Sequence, residues 1–192
     1  MGQFLIAGIA EAIKNISSKF FYLGNSGVDR INAFDSIRDI SYQIPLAWGE
    51  EDKCCSGKHE KLLKILTKQG YKVRYRVCVF LWNSPRKLPL KLEKIPHDND
   101  CTHTYLEVYL GGKWRVLDAT WDKGLRKLFP INEWDGKSST KLAVKSIKIF
   151  SPKKSLRIVK NQTKKVIEED LKRNGKFYAA FNKFLEEKRL LD

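Results

Sequence analysis

Asp52-Lys-Cys-Cys-Ser-Gly-Lys-His-Glu-Lys-Leu-Leu-Lys-Ile-Leu66 is the stretch on which the reading of this chain turns. It reads as a short polar turn that sets a cysteine at the start of a helix. With Cys55 in the first turn, Cys55, His59, Leu62, Leu63 and Leu66 share one face. That face is mostly apolar and is expected to point inward. The thiol would then lie against the core, beside the positive end of the helix dipole, which favours thiolate over thiol. A buried structural cysteine, acting as a small hydrophobe, meets the same pattern, so the rest of the chain must decide between the two.

Downstream, the helix is expected to run from Cys55 to Gln69, with Gly70 as its C-terminal cap. Tyr71 to Trp82 alternates like a strand. Asn83 to Asp100 carries Pro85, Pro89 and Pro96 and reads as a loop long enough to cover a site. His103 to Leu110 is a second strand, Gly111-Gly112 a tight turn, and Lys113 to Thr120 a third strand. If the two glycines are the whole turn, Tyr109 pairs with Trp114, Glu107 with Val116 and Tyr105 with Asp118. His103, Tyr105 and Glu107 then share a face with Asp118. His103 becomes the diagonal neighbour of Asp118, within reach of an imidazole and a carboxylate. A carboxylate on one ring nitrogen fixes the tautomer, and the other nitrogen is free to take a proton from a thiol. A satisfied, partly buried polar pair would look the same without the cysteine.

The flanks are simpler. Residues 3 to 22 have helical spacing, and Asp29 to Tyr42 begins as helix and then becomes irregular towards Pro45. Trp48 to Asp52 is a polar loop. Trp121 to Lys141 is a further loop, Leu142 to Ile149 a last strand, and Val166 to Leu191 a helix broken near Asn174-Gly175. With no internal repeat and no low-complexity linker, one domain over residues 1–192 is expected, with a core at about 40–150 and helical appendages at 1–39 and 160–192.

The chain has 192 residues and 42% apolar content, ordinary for a globular protein. Its four cysteines form no CxxC pair and no secreted-type framework, which points to reduced thiols in the cytoplasm. No transmembrane segment or signal peptide is expected. The net charge is +15, and between Lys141 and Asp192 basic residues outnumber acidic ones by 15 to 6. Such charge is compatible with nucleic acid. No nucleic-acid motif accompanies it, however, so no specific nucleic-acid partner and no membrane are expected. The Lys153-Lys154 and Lys164-Lys165 pairs read as solvated. Cys54, Cys55, Cys78, Cys101, His59, His97 and His103 match no standard zinc spacing, and no metal is expected.

Three segments resemble the core motifs of the transglutaminase-like superfamily: Cys55-Ser-Gly-Lys-His59, His103-Thr-Tyr-Leu-Glu-Val-Tyr109 and Trp114-Arg-Val-Leu-Asp-Ala-Thr-Trp121. Asn132-Glu-Trp-Asp-Gly-Lys137 and Phe177-Tyr-Ala-Ala-Phe-Asn182 extend the likeness towards stand-alone prokaryotic members of about this length. The resemblance implies an α+β, papain-like core in which a cysteine-bearing helix packs on an antiparallel sheet. It implies Cys55 as nucleophile, His103 as general base and acid, and Asp118 as the orienting carboxylate. The reaction would be acyl transfer from a protein or peptide amide through a thioester, with no cofactor. It also implies an oxyanion donor ahead of the cysteine, for which Gln43 and Trp48 are the candidates. Glu107 and Tyr105 are expected to support the site. His59 is expected to pack rather than act as base, and the Cys54 side chain is expected to point away from Cys55. The competing expectation is an inactive binding module that uses its basic surface.

Overall fold

The Gly111-Gly112 turn sets the sheet. Both glycines have positive φ, 55° and 78°, the left-handed geometry that a two-residue hairpin requires and that side chains resist. In the computed structural model, which describes residues 27–84 and 88–189, the turn joins β2 (Asp100–Leu110) to β3 (Lys113–Leu117). The ladder places Leu110 opposite Lys113, Tyr109 opposite Trp114 and Glu107 opposite Val116. β1 (Val73–Leu81) pairs antiparallel with the other edge of β2, with Cys78 opposite His103. β4 (Ser146–Ile149) closes the sheet on β1, giving the order β3-β2-β1-β4. The chain is therefore an α+β fold on a four-stranded antiparallel sheet.

Two apolar clusters hold the layers. α1, described over 27–38, and α2 (Cys55–Lys68) bring Phe34, Ile37, Leu62 and Leu66 against Leu106, Val108 and Leu117 of the sheet. Burying each such side chain contributes about 1.5–3 kcal/mol. α5 (Lys164–Arg189) brings Phe177, Phe181, Phe184 and Leu185 against Tyr42, Trp121 and Leu125. The first cluster seats the cysteine helix, and the second packs beside its start, with Cys54 against it.

Several elements differ from expectation. β3 stops at Leu117, and the ladder ends at Leu106 opposite Leu117. Asp118 thus lies just beyond the sheet, in a segment whose N–H groups and carbonyls pair with side chains. The proline-rich loop contains a short helix, α3 (Leu90–Glu93). Pro89 does not exclude it, because it stands at the N-cap and offers its carbonyl to Leu92 N at 2.8 Å. α4 (Pro152–Lys160) was not foreseen, although Ser151 caps it and Pro152 opens it, as helix starts favour. Its buried Ser155 accepts a hydrogen bond from Val77 N at 3.0 Å and so fastens α4 to β1. α5 runs unbroken through Asn174-Gly175. Asn174 is buried and its amide is committed to Asp98 and Asp170, which outweighs the local weakness of the pair. The expected helix at residues 3–22 lies outside the described residues. Among the described residues no helix is long and apolar enough to cross a membrane.

Candidate active site

The cysteine helix begins at Cys55, and its start is built by Asp52 and Gly57. The Asp52 carboxylate accepts from Cys54 N at 2.8 Å and from the Gly57 N–H, standing in for a capping side chain at Cys54. Gly57 has a steric reason to be glycine: a Cβ there would sit 2.0 Å from the Asp52 carbonyl oxygen. Alanine in a helix interior normally stabilises by up to ~1 kcal/mol over glycine. Here Gly57→Ala is expected to destabilise by about 3 kcal/mol, because backbone must move. Urea unfolding checks the sign through a lower midpoint at unchanged slope.

His103 and Asp118 meet across the end of the hairpin. His103 Nε2 lies 2.7 Å from Asp118 Oδ2, and both side chains are buried. The carboxylate is held on every side. Ala143 N donates to Oδ2 at 2.8 Å, while Thr120 N and Oγ1 donate to Oδ1 at 3.1 and 2.6 Å. Burial alone would raise its pKa, but the His103 charge and hydrogen bond hold it below the usual carboxylate range. Burial would likewise lower His103, yet Asp118 outweighs it and the imidazolium persists to about 10. Since Asp118 occupies Nε2, Nδ1 is the nitrogen left for the thiol of Cys55, and thiol and ring each favour the other's charged form. The Cys55 thiol is held well below its ordinary value, first by a hydrogen bond from Cys54 and then, against burial, by His103.

Cys54 is therefore not turned away, as expected, but lies against Cys55. As the extended N-cap residue (φ −83°, ψ −170°) it sits off the helical path, beside the first turn. Its own thiol is pushed up by that same hydrogen bond and by burial, so it stays protonated and donates. All four cysteines are free. Cys78 and Cys101 are pushed up by burial to about 12.

His59 lies closer to the carboxylate than expected, with Nε2 3.7 Å from Asp118 Oδ1. Its protons exclude it as a base. Ala119 N–H donates to Nε2 at 2.9 Å, so Nδ1 carries the hydrogen and donates to the Cys55 carbonyl at 2.7 Å. Burial lowers its pKa and keeps it neutral. Glu107 does not reach His103; it pairs with Arg74 at 2.7 Å and with Arg76. The Tyr105 ring stacks on His103 at 6.2 Å between centroids.

A cleft of about 450 Å³ opens over Cys55 and His103, with Tyr42, Trp82, Trp121 and Tyr178 among its walls. Gln43 and Trp48 are not among its lining residues. Gln43 is exposed in a single bridge to Lys53, and Trp48 is exposed in the following loop.

Sequence reasoning passed over two residues. Tyr42 lines the cleft together with Cys54 and Cys55. Lys58, fully buried one turn after Cys55, donates to the carbonyls of Arg38, Ile40 and Thr120 at 2.8, 2.9 and 2.7 Å. A lysine in the first helical turn reads as solvated, and no local pattern distinguishes this one. Among the described residues no group of three or more His, Cys, Asp or Glu side chains could hold a metal ion. The arrangement is thus a thiolate–imidazolium pair with a fixed carboxylate, which can attack an electrophilic carbonyl and protonate its leaving group. No family model, curated protein or solved structure matches the chain.

Proposed function

We propose that the protein is a thiol-dependent acyl-transfer enzyme with a papain- and transglutaminase-like core, acting on protein or peptide amides. The observation that carries this is the 2.7 Å contact between Asp118 and Nε2 of His103, which leaves Nδ1 to the Cys55 thiol. In the first half-reaction the Cys55 sulfur bonds the amide carbonyl carbon, and the carbonyl oxygen takes the negative charge. The C–N bond then breaks, and the amine leaves with the proton that His103 Nδ1 held. In the second half, water or an amine bonds the thioester carbon and gives its proton to His103 Nδ1. The C–S bond breaks and the thiolate returns. Water as acceptor makes the protein an amidase or protease, and an amine makes it a transamidase. Four unpaired cysteines support a reducing, cytoplasmic setting.

The test is the pH dependence of Cys55 alkylation by iodoacetamide. In the parent the midpoint is expected well below about 8.5, the ordinary thiol value. In His103→Ala and Asp118→Ala it is expected to move upward, since each change removes the imidazolium that faces the sulfur. An inert Cys55, or one indifferent to both changes, would shift the reading to a binding module on the same fold.

A further inference from the structure

An acyl transfer at Cys55 needs a donor for the oxygen that becomes negative as the C–S bond forms. The Cys55 N–H, at the first position of α2, supplies one, because the first N–H groups of a helix have no partner within it. A second must come from a side chain lining the same cleft. Tyr42 stands there, only 6% exposed, with its ring against Trp121 at 4.8 Å between centroids.

The backbone of Tyr42 is clamped from both sides. Its N–H donates to Asp122 Oδ2 at 2.8 Å, and its carbonyl accepts from Arg189 Nη2 at 2.9 Å. Asp122 and Arg189 are themselves paired at 2.8 Å. Those backbone bonds are the hydrogen bonds of Tyr42 among the described residues, so its hydroxyl is uncommitted, and it faces the thiols of Cys54, Cys55 and Cys101. Two neighbouring hydroxyls on the wall are already engaged, Thr120 with Asp118 and Ser56 with Thr104, and that of Tyr178 is influenced by Asp170 and Cys101 instead. Burial and the nearby thiols push the Tyr42 phenol well above its ordinary value, so it keeps its proton across the working range.

We propose that Tyr42 is the side-chain donor to the tetrahedral oxyanion, a catalytic role for its phenolic O–H that rests on the acyl-transfer reading above. The donor is preorganised, since ring and backbone are both fixed before substrate arrives, and preorganisation is what gives such donors their effect.

Two reagents separate this role from any other. p-Nitrophenyl acetate acylates a thiol through a tetrahedral oxyanion. Iodoacetamide alkylates the same thiol by displacing iodide at a saturated carbon and forms none. Both are followed at Cys55, localised by fragment-ion mass spectrometry, with nitrophenolate release as a second readout. In Tyr42→Phe, which keeps the ring on Trp121, acylation is expected to slow by about 10²-fold while alkylation stays within about twofold of the parent. Equal slowing of both reactions would mean that Tyr42 acts on the thiol, and would overturn the proposal. So would unchanged acylation by a Cys55 that alkylates readily, in which case the acyl-transfer reading stands alone. A parent Cys55 inert to both reagents overturns that reading and the role of Tyr42 with it.

Discussion

Asp118→Ala is expected to slow acylation of Cys55 by about 10⁴-fold and to cost about 3–5 kcal/mol of stability. Both effects follow from one fact: the carboxylate is the main counter-charge to a buried imidazolium. Without it, the burial that disfavours the charged ring is opposed by Cys55 but no longer by Asp118, and the ring is expected to turn neutral. The thiol then loses its cationic partner, and the ring loses the contact that orients Nδ1. Three further donors, Ala143 N, Thr120 N and Thr120 Oγ1, are left without an acceptor. Asparagine does not rescue them. Both carboxylate oxygens accept from backbone N–H, so an amide nitrogen in either place sets donor against donor.

The pair also fixes how this difference varies with pH. Asp118 is depressed below its reference of 3.8, so its contribution is present above that value and fades as pH falls below it. His103 is raised from 6.5 to about 10, so its contribution is full below 6.5 and is lost as pH climbs towards 10. The gap in urea midpoint between parent and Asp118→Ala should therefore be widest between pH 3.8 and 6.5 and narrow on either side. A gap independent of pH would mean that the two side chains do not titrate as a pair.

Lys58→Met is expected to cost about 4–5 kcal/mol, without touching the contact between His103 and Asp118. The three carbonyls that receive the Lys58 ammonium belong to the end of α1 and to the segment after Asp118. Each orphaned buried acceptor costs about 1–3 kcal/mol. Burial lowers the ammonium to about 8, against Asp122 and Asp118, so it remains charged at neutral pH. Three charge-assisted bonds are therefore lost together. Lys61→Met, three residues on, removes only a surface pair to Glu51 and should cost less than about 1 kcal/mol. The contrast in urea midpoints between the two variants isolates burial from charge.

What could be read in advance depended on whether the deciding force was local. A two-residue hairpin needs a left-handed backbone that glycine takes readily, so the pairing of Tyr109 with Trp114 and Glu107 with Val116 was legible from Gly111-Gly112, as was the helix opening at Cys55. The extent of β3 was not, because Asp118 leaves the ladder for hydrogen bonds with Thr140 and Ala143, 22 and 25 residues on. The same holds for α5. Asn174-Gly175 weakens a helix taken alone, but Asp98, 76 residues away, holds Asn174 in place. α4 was legible and overlooked, since Ser151-Pro152 is a helix start. Gln43 and Trp48 were nominated by position in sequence; the turn after Tyr42 carries both to the surface and leaves Tyr42 inside. The contacts of Cys54, His59 and Lys58 depend on where α2 docks, which no short window of residues encodes.

The clamp on Tyr42 also bears on when, during synthesis, the cleft is complete. Arg189 and Tyr42 are 147 positions apart. At roughly 5–20 residues per second a ribosome needs on the order of 7–30 s to travel between them. Cys55, His103 and Asp118 are all made within that interval, before the arginine that steadies Tyr42. The nascent chain therefore carries its thiol for many seconds without a finished cleft, and the end of α5 decides when the site is whole.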